Sequence, residues 1–125
     1  MDVDIERIYR HEVFAVSVWD TLEETARRLR AHNVGALMVF DEEDFIGIIT
    51  ERDIASAVAA GHYPEASQVG DYMTMRPITV TPSTDVREVA AQMLETEVRH
   101  LPVERDGRLV GVISLRDLLP VVVGR

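Results

Sequence analysis

Cysteine is absent from the 125-residue sequence, which excludes disulfide staples and thiolate metal sites and gives no reason to expect an oxidising compartment. Lysine is absent too. All thirteen basic residues are arginine, so neither a Schiff-base lysine nor the lysine of a phosphate-gripping P-loop is available. No apolar run approaches the roughly 18 residues of a membrane-spanning helix, and the start Met1-Asp2-Val3-Asp4 is acidic where a secretory signal is basic. The expectation is a soluble, cytoplasmic protein with no membrane partner. Positive charge is scarce overall: a net charge of -9 repels phosphate backbones over any broad surface, so no nucleic-acid partner is expected. A phosphate ligand would need a locally basic pocket.

Several chemistries are missing along with these residues. No serine sits in a GxSxG elbow, and GxGxxG and Walker patterns do not occur. His11, His32, His62 and His100 are scattered without an i, i+4 pair, and the acidic run Asp41 to Asp44 lacks the spacing and glycine of a calcium loop. An enzyme is not expected, nor a metal or cofactor. Met73, Met75 and Met93 read as core packing, and Trp19 as a surface cover or a contact for another subunit.

What the chain does have is a repeat. Sliding the sequence by 64 positions places Gly47-Ile48-Ile49-Thr50-Glu51-Arg52-Asp53 on Gly111-Val112-Ile113-Ser114-Leu115-Arg116-Asp117, and the match continues outward without a gap. Each half reads as β-α-β-β-α. A short strand (Phe14 to Val18; Ile78 to Val80) meets a helix start at Thr21-Leu22-Glu23-Glu24 or Asp85-Val86-Arg87-Glu88, each a side-chain cap with glutamate three residues on. Apolar stripes Leu22, Ala26, Leu29 and Val86, Ala90, Met93 give each first helix one buried face. Hairpins follow around Asp41 to Asp44 and Arg105 to Arg108, and then second helices from Glu51 to about Ala60 and from Leu115 to about Val122. Pro102 cannot donate to a ladder, which predicts an edge or an irregularity at its strand.

The turn formers from Gly61 to Asp71 mark the boundary between repeats 1-63 and 64-125. One such unit has too little core to stand alone, so the expected fold class is α+β with the two repeats packed about a pseudo-two-fold axis. Ile54, Ala57 and Val58 form a helix face suited to a closed two-fold homodimer.

The glycine-to-aspartate motif at each strand-to-helix junction admits two readings. In one, Thr50 and Ser114 are N-caps and Asp53 and Asp117 complete capping boxes, with no further role. In the other, the free N–H groups and hydroxyl at the helix start, with a carboxylate able to accept from a ribose diol, hold a nucleoside by its sugar.

From about Val3 to Val123 the chain resembles a pair of cystathionine-beta-synthase (CBS) domains, also called a Bateman module. The paired strand-helix motifs carry the likeness, together with Val69-Gly70-Asp71-Tyr72-Met73-Thr74, which is similar to the segment that introduces such a repeat. The corresponding Ile5-Glu6-Arg7-Ile8-Tyr9-Arg10 departs from that pattern. The resemblance implies a non-catalytic module with two clefts, each able to take AMP, ADP or ATP, with S-adenosylmethionine ranked behind them, and signalling to a regulated partner protein. By position, the preferred cleft would use Asp117 and Ser114 for the ribose, backbone near Val13, Phe14 and Ala15 for adenine, Gly35 and Ala36 beneath the base, and Arg99, His100 and Arg116 for phosphates. A weaker second cleft would use Asp53, Thr50 and Arg52 with backbone near Pro77, Ile78 and Thr79, since Gly35 and Ala36 stand where the other repeat has Arg99 and His100. The alternative is a ligand-free structural or protein-interaction domain.

Overall fold

A computed structural model describes residues 3–123. The first repeat comprises β1 (Ala15–Ser17), α1 (Leu22–His32), β2 (Ala36–Asp41), β3 (Asp44–Thr50) and α2 (Glu51–Ala59). After two 3-10 turns, Pro64–Ala66 and Val69–Asp71, come β4 (Thr74–Met75), α3 (Val86–Thr96), β5 (His100–Arg105), β6 (Arg108–Ser114) and α4 (Leu115–Val122). Helices and hairpins therefore follow the expected α+β order twice.

The helix starts are local events. Thr21 accepts from the Glu24 N–H and caps α1, while Asp85 caps α3 by accepting from Arg87 at 2.7 Å. The glutamates three residues on do not reach back as expected; Glu24 pairs with Arg28 at 3.1 Å, and Glu88 accepts from Gln92. Both helices stop at a left-handed residue, Asn33 and Glu97. Their buried stripes run through Leu22, Thr25, Leu29 and Val86, Val89, Met93. The stripe is thus centred one residue before Ala26 and Ala90, and Thr25 tolerates full burial because its hydroxyl donates to the Thr21 carbonyl at 2.8 Å. Among the methionines, Met93 is buried and Met73 packs on the core, but Met75 is exposed.

Strand pairing differs between the repeats for a reason visible in the prolines. β1 runs parallel to β2, which is antiparallel to β3, which is antiparallel to β4. In the second repeat β5 and β6 pair, but the expected strand Ile78 to Val80 shrinks to a single parallel bridge between Val80 and Val103. Around β1 the outer rungs are Met38 N–H to Phe14 at 3.0 Å and Val18 N–H to Phe40 at 2.9 Å. The residues 64 positions beyond the two donors are Pro102 and Pro82, which have no N–H to give. Only the middle rungs survive, Val80 to Pro102 and Glu104 to Val80. Pro102 turns its missing donor toward that side, as an edge position requires.

The described residues 3–13 and 78–123 form one compact unit and Phe14–Pro77 the other, so the units do not coincide with the sequence repeats 1-63 and 64-125. Each repeat's leading segment packs on the other repeat's hairpin. Ile5 and Tyr9 are buried with Val89, Leu101, Ile113 and Leu118; Val69 is buried with Leu22, Leu37 and Ile49. The link marked by turn formers is no loose spacer, since Ser67 accepts from Leu22 and the N–H groups of Val69 and Gly70 donate to Asp20 and Val18.

The motif glycines make this docking possible. A Cβ on Gly47 would lie 2.7 Å from the Thr74 carbonyl, and one on Gly111 would collide with the Arg10 carbonyl and the Tyr9 ring. Arg10 bridges to Val112 as Thr74 pairs with Ile48. The atypical Ile5-to-Arg10 segment thus occupies the position of Val69 to Thr74 despite its different sequence. Glu6 fastens it further: both carboxylate oxygens accept from Arg105 at 3.0 Å, and this hydrogen bonding holds the guanidinium proton more firmly than usual.

Candidate functional site

Each second helix begins where a hairpin strand ends, so the last strand residue becomes the N-cap. Ser114 keeps an extended backbone while Leu115 turns helical, and the Ser114 hydroxyl accepts from the Asp117 N–H at 3.2 Å. Asp117 returns the interaction through Oδ2, which accepts from the Ser114 N–H at 2.9 Å. The α2 box is equivalent: Asp53 Oδ2 accepts from the Thr50 N–H at 2.8 Å, and the Asp53 N–H donates to the Thr50 hydroxyl at 3.3 Å. Both boxes are complete.

What surrounds the two boxes differs. At α4, the Leu115 N–H donates to the Arg99 carbonyl at 2.8 Å, and His100 lies directly across the hairpin from Ser114. Arg99 and Arg116 are exposed, and His100 is half-buried. Arg10, contributed by the leading segment, places Nε 3.2 Å from Asp117 Oδ1, where the arginine side chain is 56% exposed and the aspartate 10%. One unit therefore brings the Arg10–Asp117 pair and the backbones of Arg99, His100, Ser114 and Arg116 together at a single helix start. At α2, the Glu51 N–H donates to the Gly35 carbonyl at 3.1 Å and Ala36 lies across from Thr50, with Arg52 exposed on the first turn. Thr74 stands where the other repeat has Arg10. The α2 start has the same cap and fewer cations.

The remaining expected positions divide between the units. Val13 belongs with Asp117; Phe14, Ala15, Gly35 and Ala36 belong with Asp53. The Phe14 ring stacks on His32 at 3.8 Å, and its carbonyl accepts from Met38, while the Ala15 carbonyl accepts from Arg28 Nη1 at 2.9 Å. Both carbonyls are engaged within their own unit. Pro77 falls with Asp53, whereas Ile78 and Thr79 fall with Asp117, and the Thr79 hydroxyl donates to Glu104 at 3.2 Å.

The expected association face changes. On α2, Ala57 is buried and Ile54 packs against its own core, so Val58 alone of the expected association face is well exposed. Arg10 was not legible as a site residue, because it lies 107 positions from Asp117 and its segment breaks the usual introductory pattern. The available signal was that Arg10 aligns with Thr74 next to the strand bearing the motif glycine. Among the described residues no helix is long and apolar enough to cross a membrane, and no group of three or more histidines and carboxylates is arranged to hold a metal ion.

Comparison with known proteins places this geometry in a wider setting. A CBS domain family model matches twice, over residues 5–60 and 69–124. A 17.7 kDa protein of Acidianus ambivalens is 38% identical over 120 residues, covering 94% of this chain and 72% of the relative. A mitochondrial CBS domain-containing protein of Arabidopsis thaliana is 36% identical over 110 residues, covering 83% of this chain but only 53% of its own length. The chain also spans 62% of a Methanopyrus kandleri relative that is 34% identical. Among solved structures, a CBS-domain protein from Burkholderia ambifaria is 33% identical with a TM-score of 0.90, covering 98% of this chain and 94% of that one. The CBS domain pair of protein MJ0100, solved with 5'-methylthioadenosine and S-adenosyl-L-methionine, is 27% identical with a TM-score of 0.86 and covers 96% and 99% of the two chains.

Proposed function

The chain belongs to the CBS-domain family, and from that premise we propose that it is a regulatory, non-catalytic module that binds an adenine nucleotide at the start of α4 and signals its occupancy to a partner protein. The observation that carries this reading is the gathering of Arg10, Arg99 and Arg116 at one helix start in a chain of net charge -9. Cations near a helix N-terminus are unfavourable to the helix dipole, so capping needs none of them. An anionic ligand makes sense of all three: phosphates meet guanidinium groups, while Asp117 accepts from the ribose. That MJ0100 was solved with two adenosyl compounds supports the ligand class. The α2 start, with Gly35, Ala36 and Thr74 in the matching places, is the weaker site.

Occupancy becomes a signal only if nucleotide favours one arrangement of the protein over another. A thermal-shift series with AMP, ADP, ATP and S-adenosylmethionine tests the binding. We expect stabilisation by the phosphorylated compounds, on the order of 3 kcal/mol at a hundredfold excess over Kd; no shift with any of the four overturns the reading.

A second reading, a ligand-free structural or interaction domain, draws on the completeness of both capping boxes, which already explains why a hydroxyl and an aspartate stand at each helix start. It leaves the exposed Arg99 and Arg116 at the same helix start unexplained.

Self-association into a homodimer is part of the same proposal. Val58 on α2 and Leu119 and Val122 on α4 are about half exposed, each on a helix whose other face is buried. Closed two-fold pairing is the commonest way to cover such faces. Sedimentation at micromolar concentration is expected to give twice the mass of the chain; a monomer there removes the dimer from the proposal.

A further inference from the structure

We infer that Arg10 is an internal occupant of the nucleotide site and that its displacement makes the α4 start select phosphorylated over unphosphorylated adenosine ligands. The inference rests on the nucleotide reading above and concerns how that site chooses among ligands.

Asp117 has only two oxygens to offer. Oδ2 is committed to the Ser114 N–H at 2.9 Å, and Oδ1 faces Arg10 Nε at 3.2 Å. Since the aspartate side chain is 10% exposed, a ribose diol approaching it competes with Arg10 for the same atom. The pair engages Nε, one of five guanidinium donors, on a side chain that is 56% exposed. Such an ion pair contributes roughly 0.2–1 kcal/mol, so displacing it weakens a neutral ligand by no more than about fivefold.

Arg10 does not leave when it is displaced. Its backbone is fixed to β6 by two hydrogen bonds, N–H to the Val112 carbonyl at 2.9 Å and carbonyl from the Val112 N–H at 3.0 Å. The freed guanidinium therefore stays within a side-chain length of Asp117, always charged and with its fork open. A nucleoside gives it nothing in return. A phosphate offers a bidentate, charge-assisted partner that more than replaces the exposed pair. The two effects act in opposite directions on neutral and anionic ligands, which distinguishes them from simple loss of packing. At the α2 start Thr74 occupies the Arg10 position, so Asp53 has neither this competitor nor this cation.

Calorimetric titration of the wild-type chain and Arg10→Met with adenosine and AMP, at one fixed ionic strength, tests the inference. Methionine keeps most of the apolar stem and removes the charge. We expect Arg10→Met to bind adenosine up to about fivefold more tightly and to lose at least about tenfold of the preference for AMP over adenosine. Arg10→Lys, which retains the charge without the fork, should fall between the two and covers the case in which the methionine variant does not fold. If the variants change adenosine and AMP affinity by the same factor, or leave the ratio as in the wild type, the role of Arg10 is overturned while the nucleotide reading stands. If the wild-type chain binds neither ligand, the nucleotide reading fails and takes this inference with it.

Discussion

Asp117→Ala is expected to lower the affinity for AMP about a hundredfold and to leave the protein folded. In the proposed site a ribose diol donates to this carboxylate, and a hydrogen bond to a charged group contributes roughly 1.5–3 kcal/mol; loss of about 2.7 kcal/mol corresponds to the hundredfold change. The same substitution breaks the Ser114–Asp117 capping box, which costs about 1 kcal/mol of stability. Asp53→Ala breaks the equivalent box with Thr50, so it is the matched control: an equal loss of stability, but a much smaller loss of binding. Calorimetry with AMP and urea denaturation of both variants separate the two contributions. Should Asp117→Ala bind AMP as tightly as the wild-type chain, the carboxylate is a cap alone and holds no ribose.

Ile5→Ala destabilises the protein by about 2–5 kcal/mol, the range for truncating a fully buried isoleucine whose surroundings cannot collapse into the space. Small domains have only about 5–15 kcal/mol in hand, so the urea midpoint should fall substantially. Ile5 is buried with Val89, Leu101, Ile113 and Leu118, all of the second repeat, although it opens the first. The measurement therefore asks whether the leading segment closes the core of the other repeat. A loss below about 1 kcal/mol would mean that it does not. The consequence reaches the site, because the same segment carries Arg10 to Asp117 and lies on Gly111, whose missing side chain leaves room for the Arg10 carbonyl.

Periodicity and capping rules were sufficient for the helices and hairpins because those features are decided within a few residues. Thr21, Thr50, Asp85 and Ser114 cap their helices by bonds to N–H groups two or three positions on. The helix α4 begins at Leu115 as the motif indicated, and the turn between β5 and β6 takes its left-handed residues at Asp106 and Gly107. Where a short-range rule misled, the competing cause was another strand or helix. Ile78 to Val80 has strand composition, but the N–H donors of its outer rungs fall at Pro82 and Pro102; Pro102 marked an irregularity in the sequence, and which strand loses its rungs appears only once the pairing is known. Ala57 looked available for association and is covered by its own unit.

The sequence by itself determined the duplication, the order of elements, the family likeness and the two helix starts with their hydroxyl and carboxylate, since each is a pattern of residue types at fixed spacing. The tertiary structure alone decided which segments share a core and which groups meet at each helix start. Ile5 and Leu118, or Arg10 and Asp117, are more than a hundred positions apart, and nothing in local propensity or spacing brings such residues together. Burial of apolar surface does so, and the charge carried on the docked segment follows the backbone to its partner.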